Sequence, residues 1–333
     1  YTEYDGLLKR ATPELDFLDP GYDGPPISAG RLEMLAEAPY AYFLKYVLGI
    51  EPREEPALED EPWLNPRRKG IILHRSFSRF MDERKGPLEA EDRSDLIEVL
   101  EAVAAEEARR VYPGTDATFE EALRELKTCA RLFFQSELRR SGQASPELHE
   151  WGFGYGERHR QEGDAGDTDL HLDAGSLPVR GRIDRVDRLG SGMLAIWDYK
   201  TGSQSSFSRS EPLKRGQKIQ WALYALVLEQ DRGEEVAESG YFFTSEKEMG
   251  TRLSFSMDET NRSNTNEVVS QLASLARSGS FPISPKADDS SPWRWGDWDH
   301  LFRDLEERVD SLHEDSPYAE HLTPEKKTRP YFL

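Results

Sequence analysis

The chain has 333 residues, of which 37% are hydrophobic, enough for one large domain or two ordinary ones. No apolar run reaches membrane-spanning length and nothing resembles a signal peptide, so we expect a cytoplasmic protein that does not bind membranes. The 63 acidic and 43 basic residues give a net charge of −20, which argues against a broadly basic surface for nucleic acid.

The start of the chain predicts an arm, a broken helix and a loop. Residues 1–26 contain Pro, Gly and Asp, and we expect them to form a lead-in arm. Ser28 can cap a helix that runs through the following apolar segment with a break at Pro39. The acidic, proline-rich residues 51–69 predict a loop.

Apolar residues at helical spacing predict three long helices before the midpoint of the chain. These helices cover residues 70–84, 94–111 and 118–142. Thr118, with Glu121 three residues later, is typical of a capping box at the start of the third helix. Cys129 is the only cysteine in the sequence and lies on the apolar face of that helix, so we interpret it as a core residue. A single cysteine excludes an intrachain disulfide and a cysteine-rich metal cluster.

The period of the apolar pattern then changes from helical to alternating. Strands are predicted over residues 148–159, 168–174, 178–189, 193–201, 237–245 and 251–257. Further helices are predicted over residues 214–230, 261–278 and 298–313. This order of a helical region, a mixed sheet with one crossing helix and a helical tail predicts an α/β (or α+β) fold in one continuous unit.

The segment GRIDRVDRLGSGMLAIWDYKTG predicts a hairpin that carries charged groups. Centring the turn on Ser191 puts Asp184 opposite Asp198, and strand alternation puts Lys200 on the same face as Asp198. Two carboxylates forced together on a partly buried sheet must share a proton or hold a cation. The alternative is a surface hairpin in an acidic protein, but the lysine and the apolar strand favour a metal site.

Five segments together resemble the RecB/AddB-type nucleases of the PD-(D/E)XK superfamily, and they follow that family's order. They are the opening helix SAGRLEMLAEAPYAYFLKYVLGIEP, the Gly-x-x-x-His element GIILH, the catalytic motifs GRIDRVD and WDYKTG, and the Gln-x-x-x-Tyr motif QWALY. The resemblance covers about residues 20–310. It implies a restriction-endonuclease-like mixed sheet flanked by helices, with a helical N-terminal region.

The same resemblance suggests how the chain is divided. The predicted parts are a lead-in arm over 1–26, a RecB-like nuclease domain over 27–315 and a tail over 316–333. Within the domain we expect a helical part over 27–145, a catalytic sheet core over 146–260 and C-terminal helices over 261–315 that pack back on the N-terminal helix. The upstream YDGLL resembles the segment before this domain in AddB-type proteins, so we expect a fragment of a longer polypeptide.

The resemblance implies a site for Mg²⁺ or Mn²⁺. Asp184 and Asp198 would bind the cation, with His74 and the backbone carbonyl of Tyr199 as further ligands. Hard oxygen ligands suit both ions, and an imidazole leans toward Mn²⁺. The alternative for His74 is an ordinary packed or surface histidine on an amphipathic helix.

The resemblance also implies supporting roles around this metal site. Lys200 would contact the scissile phosphate or the attacking water, and Gln220 and Tyr224 would support the site or the DNA strand. Core packing explains Tyr224 equally well. Glu150 begins a predicted strand where the family often has a glutamate, but solvated glutamates are common in this chain.

Many relatives hold an iron–sulphur cluster with four cysteines, one in the opening helix and three near the end. This chain has Ala38 in the opening motif and Trp293, Gly296 and Phe302 in the late segment, so no cluster is expected. We expect the late aromatic residues to pack against the opening helix near Ala38 and Phe43 instead.

The acidic surplus has two interpretations. Acid-rich, lysine-poor surfaces keep proteins hydrated in concentrated salt, and an acidic interaction surface would have a similar composition. We favour salt adaptation, under which the net charge says little about the ligand.

These patterns favour a metal-dependent deoxyribonuclease, and an exonuclease is favoured over an endonuclease. The resemblance implies the C-terminal nuclease domain of an AddB-like helicase–nuclease that processes single-stranded or duplex DNA ends in recombinational repair, with a helicase domain or subunit as partner. One alternative is a catalytically silent nuclease-fold module that binds DNA or scaffolds a helicase. Another is a CRISPR-associated RecB-like nuclease. Retention of Asp184, Asp198 and Lys200 favours an active enzyme.

Overall fold

The computed structural model describes residues 26–50, 62–84, 86–173 and 175–277, together with Gly279 and Phe281. The α-helices among these residues are α1 (Ala29–Glu37), α2 (Pro39–Tyr42), α3 (Pro66–Asp82), α4 (Arg93–Arg110), α5 (Asp116–Arg140), α6 (Gln220–Arg232) and α7 (Glu259–Arg277). The strands are β1 (Ile27–Ser28), β2 (Ala144–Phe153), β3 (Asp169–Leu172), β4 (Gly175–Leu189), β5 (Leu194–Lys200), β6 (Val236–Phe243) and β7 (Arg252–Ser256).

The described strands form one mixed sheet around the long strand β4. The order is β1-β4-β5-β6-β7, and β2 and β3 also pair with β4. Strand β4 runs antiparallel to β2, β3 and β5, whereas β1 runs parallel to it. Strands β5 and β6 are parallel and are joined through α6, and β7 returns antiparallel to β6. The predicted mixed sheet with one crossing helix is therefore confirmed.

Helices cover both faces of the sheet at β5. Leu194 and Ile196 pack into a core with residues of α1, α6 and α7. Trp197 and Tyr199 pack into a second core with residues of α3, α4 and α5. Because both faces are covered, β5 is an almost continuous apolar run that is interrupted only near its end. The polar residues at that end are consequently enclosed between the two helical layers.

The structure contains helices close to where the sequence predicts them, but the residues at which several of them begin differ from the prediction. Ser28 caps α1 as expected, with its side chain accepting a hydrogen bond from a first-turn amide. Helix α5 begins two residues earlier than predicted, because Thr115 is its N-cap and accepts from the N–H of Thr118. The predicted capping box at Thr118 is therefore wrong. Helix α3 begins at Pro66, capped by Asn65, inside the segment expected to be a loop.

Two boundaries beside the site also differ from the sequence prediction. The strand expected over 148–159 covers Ala144–Phe153 instead and ends where Gly154 takes a φ of +67°. The helix expected from residue 214 begins at Gln220, because residues 214–216 form a separate 3₁₀ turn. A long loop with short 3₁₀ turns therefore separates β5 from α6.

The end of the described chain packs on the opening helices. Helix α7 contacts α1, and Phe281 stacks on Phe43 with ring centroids 5.3 Å apart. The packing predicted for Trp293 and Phe302, the expected helix over 298–313, the lead-in arm and the tail lie outside the described residues. The domain boundaries stay a prediction. No helix in the described part of the chain combines the length and apolar character needed to cross a membrane.

Gly154, directly after β2, provides a test of how closely the chain approaches β4. A Cβ at this position would lie 1.9 Å from the carbonyl oxygen of Val179, and the positive φ adds strain for any other residue. We expect Gly154→Ala to lower the free energy of unfolding by about 2–4 kcal/mol, measured by urea denaturation.

Gly156→Ala is the matched control, because nothing lies within 4 Å of a Cβ built at Gly156. Its free energy of unfolding should change by less than about 1 kcal/mol. Equal losses in the two variants would contradict the close approach of β2 to β4.

Candidate active site

The β4–β5 hairpin has the predicted register. Arg185 pairs with Trp197 and Val186 with Ile196, and one further step in the same register brings Asp184 opposite the next residue of β5, Asp198. Both aspartates are buried, at 7% and 6% exposure. Two carboxylates therefore lie on neighbouring strands where water cannot fully solvate them.

Each carboxylate is paired with a cationic side chain of its own. The Oδ2 atom of Asp184 lies 3.3 Å from Nδ1 of His74 and accepts a 2.7 Å hydrogen bond from the backbone N–H of Tyr199. The Oδ2 atom of Asp198 lies 2.6 Å from Nζ of Lys200. The expected repulsion between the two acids is thus offset by two separate ion pairs.

His74 reaches this cluster from α3, on the opposite side of the sheet from α6. Its Nε2 atom lies 2.9 Å from the carbonyl oxygen of Tyr199. Burial alone would lower the pKa of His74, but the charges of Asp184, Asp198 and Glu150 outweigh burial and raise the pKa to about 9. At neutral pH the ring is therefore an imidazolium that donates to both acceptors.

Glu150 completes a group of possible metal ligands with His74 and Asp184. One ligand atom from each residue lies within 4.8 Å of the others. Strand β2 pairs with β4 on both sides of Glu150, which places this residue beside Asp184. Its φ of +49° is unusual for a residue other than glycine, and such backbone strain is common at functional sites. Burial raises the pKa of Glu150 to about 7, and the Asp184 charge adds to the effect.

The predicted metal ligands are therefore close together but not equivalent. His74, Asp184 and the Tyr199 carbonyl are in direct contact. Asp198 is outside the three-residue ligand group found among the described residues, and its oxygens contact Lys200 and Gln220 instead.

Gln220, the first residue of α6, joins the acid and the lysine. Its Nε2 donates to Oδ1 of Asp198 at 2.8 Å, and its Oε1 accepts from Nζ of Lys200 at 3.3 Å. The same Nε2 lies 3.3 Å from the hydroxyl of Tyr224, whose ring packs edge-on against Phe153. Tyr224 therefore touches the site through Gln220 and also belongs to the core.

Lys200 stays charged in this environment. Burial alone would lower its pKa, but the Asp198 carboxylate outweighs burial and raises the pKa. The lysine side chain is 33% exposed, whereas that of Asp198 is 8% exposed. The amine can therefore meet a ligand from the solvent side while it remains paired.

The sequence analysis missed Glu33 on α1. Its Oε1 accepts a 3.1 Å hydrogen bond from the backbone N–H of Gln220. Burial raises the pKa of Glu33 to about 7 against the nearby charge of Lys218. The sequence signal was an acid between two apolar residues, Leu32 and Met34, both of which are fully buried in the structure.

The sequence pattern of the PD-(D/E)XK nuclease superfamily matches residues 26–291 of this chain. The chain belongs to the PD-(D/E)XK nuclease superfamily. The matched range includes all the charged residues described above, and the mixed sheet flanked by helices is consistent with the fold of this superfamily.

Curated relatives of this PD-(D/E)XK nuclease are proteins named as a subunit of an ATP-dependent helicase/deoxyribonuclease. The relative from Clostridium novyi is 29% identical over 198 residues, 56% of this chain and 16% of its own length. A relative from Streptococcus agalactiae is 28% identical over 198 residues, 60% of this chain and 15% of its own length. The matched part of the chain thus spans about a sixth of the length of these relatives. A solved structure from Eubacterium rectale aligns with a TM-score of 0.42 at 11% identity over 80% of this chain and 86% of that chain.

The His74–Asp184 pair predicts a pH-dependent stability in the absence of metal. The folded-state pKa of His74 is about 9, above the unfolded value of about 6.5. The pair therefore stabilises the fold fully below about pH 6.5, by about 3 kcal/mol, and this stabilisation is lost as the pH rises through 9.

The measurement is the free energy of unfolding in EDTA between pH 6.5 and 9.5. The decline should be present in the wild type and reduced in His74→Gln. The same decline in both proteins would show that His74 is not held as an imidazolium.

Proposed function

We propose that this chain is a deoxyribonuclease that hydrolyses phosphodiester bonds with a bound Mg²⁺ or Mn²⁺. The observation that supports this most strongly is the group formed by His74, Glu150 and Asp184 beside the Asp198–Lys200 pair. In a nuclease family, a set of possible metal ligands next to a charged lysine is the arrangement that phosphodiester hydrolysis needs.

The donor set fits a hard divalent cation. Carboxylate oxygens and the Tyr199 carbonyl suit Mg²⁺ and Mn²⁺, and the His74 imidazole favours Mn²⁺. In the metal-free protein the two N–H groups of the imidazolium hold positive charge against oxygens of Asp184 and Tyr199, and a cation bound through a His74 nitrogen would displace one of these protons. A bound cation would lower the pKa of a water molecule and offset the charge that develops on the phosphate.

The chain itself supplies the remaining functions. Lys200 presents a charged amine whose position is fixed by Asp198 and Gln220, so it can stabilise negative charge on the reacting phosphate. Asp198 keeps that amine charged, and its carboxylate would be a further ligand for the cation. Tyr224 supports the amide of Gln220.

A cleft borders His74 and Glu150 and is the proposed entry for substrate. It has a volume of about 760 Å³, and its lining includes His74, Glu150, Arg75 and Gln161. Its size accommodates a nucleotide-sized ligand rather than a small ion alone.

The loop between β5 and α6 gives a local basic surface in an otherwise acidic chain. From Lys200 to Lys218 the sequence has five basic residues and one acidic residue, Glu211. Among the described residues, Arg209, Lys214 and Lys218 make no direct ion pair with an acid, although Lys218 lies near Glu33, and Arg209 is exposed. We propose that these three cations contact substrate phosphates near the reacting bond.

We further propose that the chain is the nuclease portion of a helicase–nuclease and acts on DNA ends, as an exonuclease. The support is the name of the relatives, which describes them as part of a helicase/deoxyribonuclease, and the short share of their length that this chain matches. A helicase domain or subunit is the proposed partner.

The function is tested with end-labelled single-stranded and duplex DNA in Mn²⁺, Mg²⁺ or EDTA. Cleavage should require the cation and release short products from ends. Asp184→Asn and Asp198→Asn should both abolish cleavage without loss of the fold. DNA binding without cleavage in either cation would support the silent-module alternative instead.

Lys200→Ala should lower the cleavage rate by about two to three orders of magnitude, because one contact to transition-state charge is lost. Mn²⁺ binding, followed by calorimetry, should persist. Lys127→Ala, on α5 and paired with Glu101 away from the site, is the control and should retain most of the rate. Loss of Mn²⁺ binding in Lys200→Ala would assign the lysine a structural role.

Replacing Arg209, Lys214 and Lys218 together by glutamine should weaken DNA binding and flatten its salt dependence. The slope of log K against log salt should fall by about 2–3, since each phosphate contact contributes about 0.7–0.9. The control replaces Arg93, Arg109 and Arg124, which are exposed on α4 and α5. An equal change of slope in both triple variants would rule out a specific role for the loop.

A further inference from the structure

Helix α6 begins without a cap from its own segment. Ile219 at the N-cap position offers no side-chain acceptor, and the first amides of a helix have no partner within the helix. Glu33 of α1 supplies the acceptor from 187 positions away in sequence, with Oε1 3.1 Å from the N–H of Gln220. A carboxylate at a helix N-terminus is also favoured by the helix dipole.

The element that carries Glu33 is itself held rigidly. Helix α1 is capped by Ser28, and the preceding strand β1 pairs with β4, the strand of Asp184. The neighbours Leu32 and Met34 are fully buried in the core under the sheet. Glu33 is therefore fixed relative to the strands that carry the charged site.

Burying a carboxylate at this place costs stability unless it is compensated. The hydrogen bond to Gln220 and the nearby charges of Lys218 and Lys200 provide that compensation. All of these partners lie in or beside the site. The polar contacts of Glu33 are therefore made with residues in or beside the site and not with the apolar core around α1.

Gln220 transmits the position of Glu33 to the reacting groups. Its backbone is held by Glu33, and its side-chain amide bonds both Asp198 and Lys200. An amide offers one carbonyl and one NH₂ group, so binding two partners fixes its orientation. A small shift of the first turn of α6 would break the 3.3 Å bond to Lys200.

We propose that Glu33 is a positioning residue of the active site, which holds Gln220 so that Gln220 aims Lys200 at the substrate. It neither binds the cation nor touches the substrate. The role in catalysis rests on the proposed nuclease function, whereas the contact to α6 does not.

A double-mutant cycle with Glu33→Ala and Gln220→Ala tests the proposal. Each variant should lower kcat about 10- to 100-fold, as expected for a misplaced catalytic group, with little change in KM or Mn²⁺ affinity. The double variant should be no slower than Gln220→Ala alone, since both changes act through one residue. Additive losses would overturn the proposal.

Two further variants separate positioning from general stability. Glu33→Gln retains an acceptor oxygen and should recover most of the rate, whereas a loss equal to that of Glu33→Ala would overturn the capping role. Glu37→Ala, one turn later on α1, is the matched control and should keep the wild-type kcat.

Amide hydrogen exchange in metal-free protein gives a measurement that does not depend on nuclease activity. The Gln220 amide should exchange about tenfold faster in Glu33→Ala than in Glu37→Ala, consistent with loss of a cap, while amides of β5 remain unchanged. Unchanged exchange at Gln220 would overturn the inference. An inactive wild type with the expected exchange pattern would instead reject the proposed nuclease function.

Discussion

Two buried carboxylates on adjacent strands are the constraint around which this chain is arranged. The β4–β5 register makes Asp184 and Asp198 neighbours at a position enclosed by helices on both faces. Charges in such a place are stable only with partners and hydrogen bonds. His74 comes from the α3 layer and Lys200 from β5 itself, and Gln220 approaches from the α6 layer. Both helical layers are thereby tied to the same pair of acids.

This arrangement balances charge with the chain's own side chains. An imidazolium and an ammonium face the two carboxylates, so the repulsion between the carboxylates is offset by opposite charges and not by packing alone. Removing Asp184 would leave the His74 charge without its closest partner rather than relieve strain, because the neighbouring acid is already neutralised by Lys200. The sequence pattern predicted a cation held by two opposed acids, and in the metal-free protein each acid also has a cationic side chain of its own.

The sequence was informative where local rules determine the structure. The glycine-flanked turn at Ser191 and the alternation of β5 are sufficient to place Asp184 against Asp198, since a hairpin register follows from its turn. The helices of the first half were also identifiable from their apolar spacing. Their first residues were not, because Thr115 and Asn65 compete successfully with other potential caps nearby.

Residues that depend on distant pairing were harder to place. Glu150 joins His74 and Asp184 only through the β2–β4 register and a left-handed backbone, neither of which has a clear sequence signal. Glu33 meets Gln220 across 187 residues, and no local pattern encodes such a contact. The division of roles between Asp184 and Asp198 likewise follows from which cationic side chain reaches each carboxylate, which is a property of the packed helices.

The most direct test of this account of the site is anomalous diffraction from crystals grown with Mn²⁺. The account predicts one strong peak within about 2.2 Å of Asp184 oxygen, His74 nitrogen and the Tyr199 carbonyl oxygen. A Mn²⁺ peak elsewhere, with the His74–Asp184 ion pair intact, would contradict it.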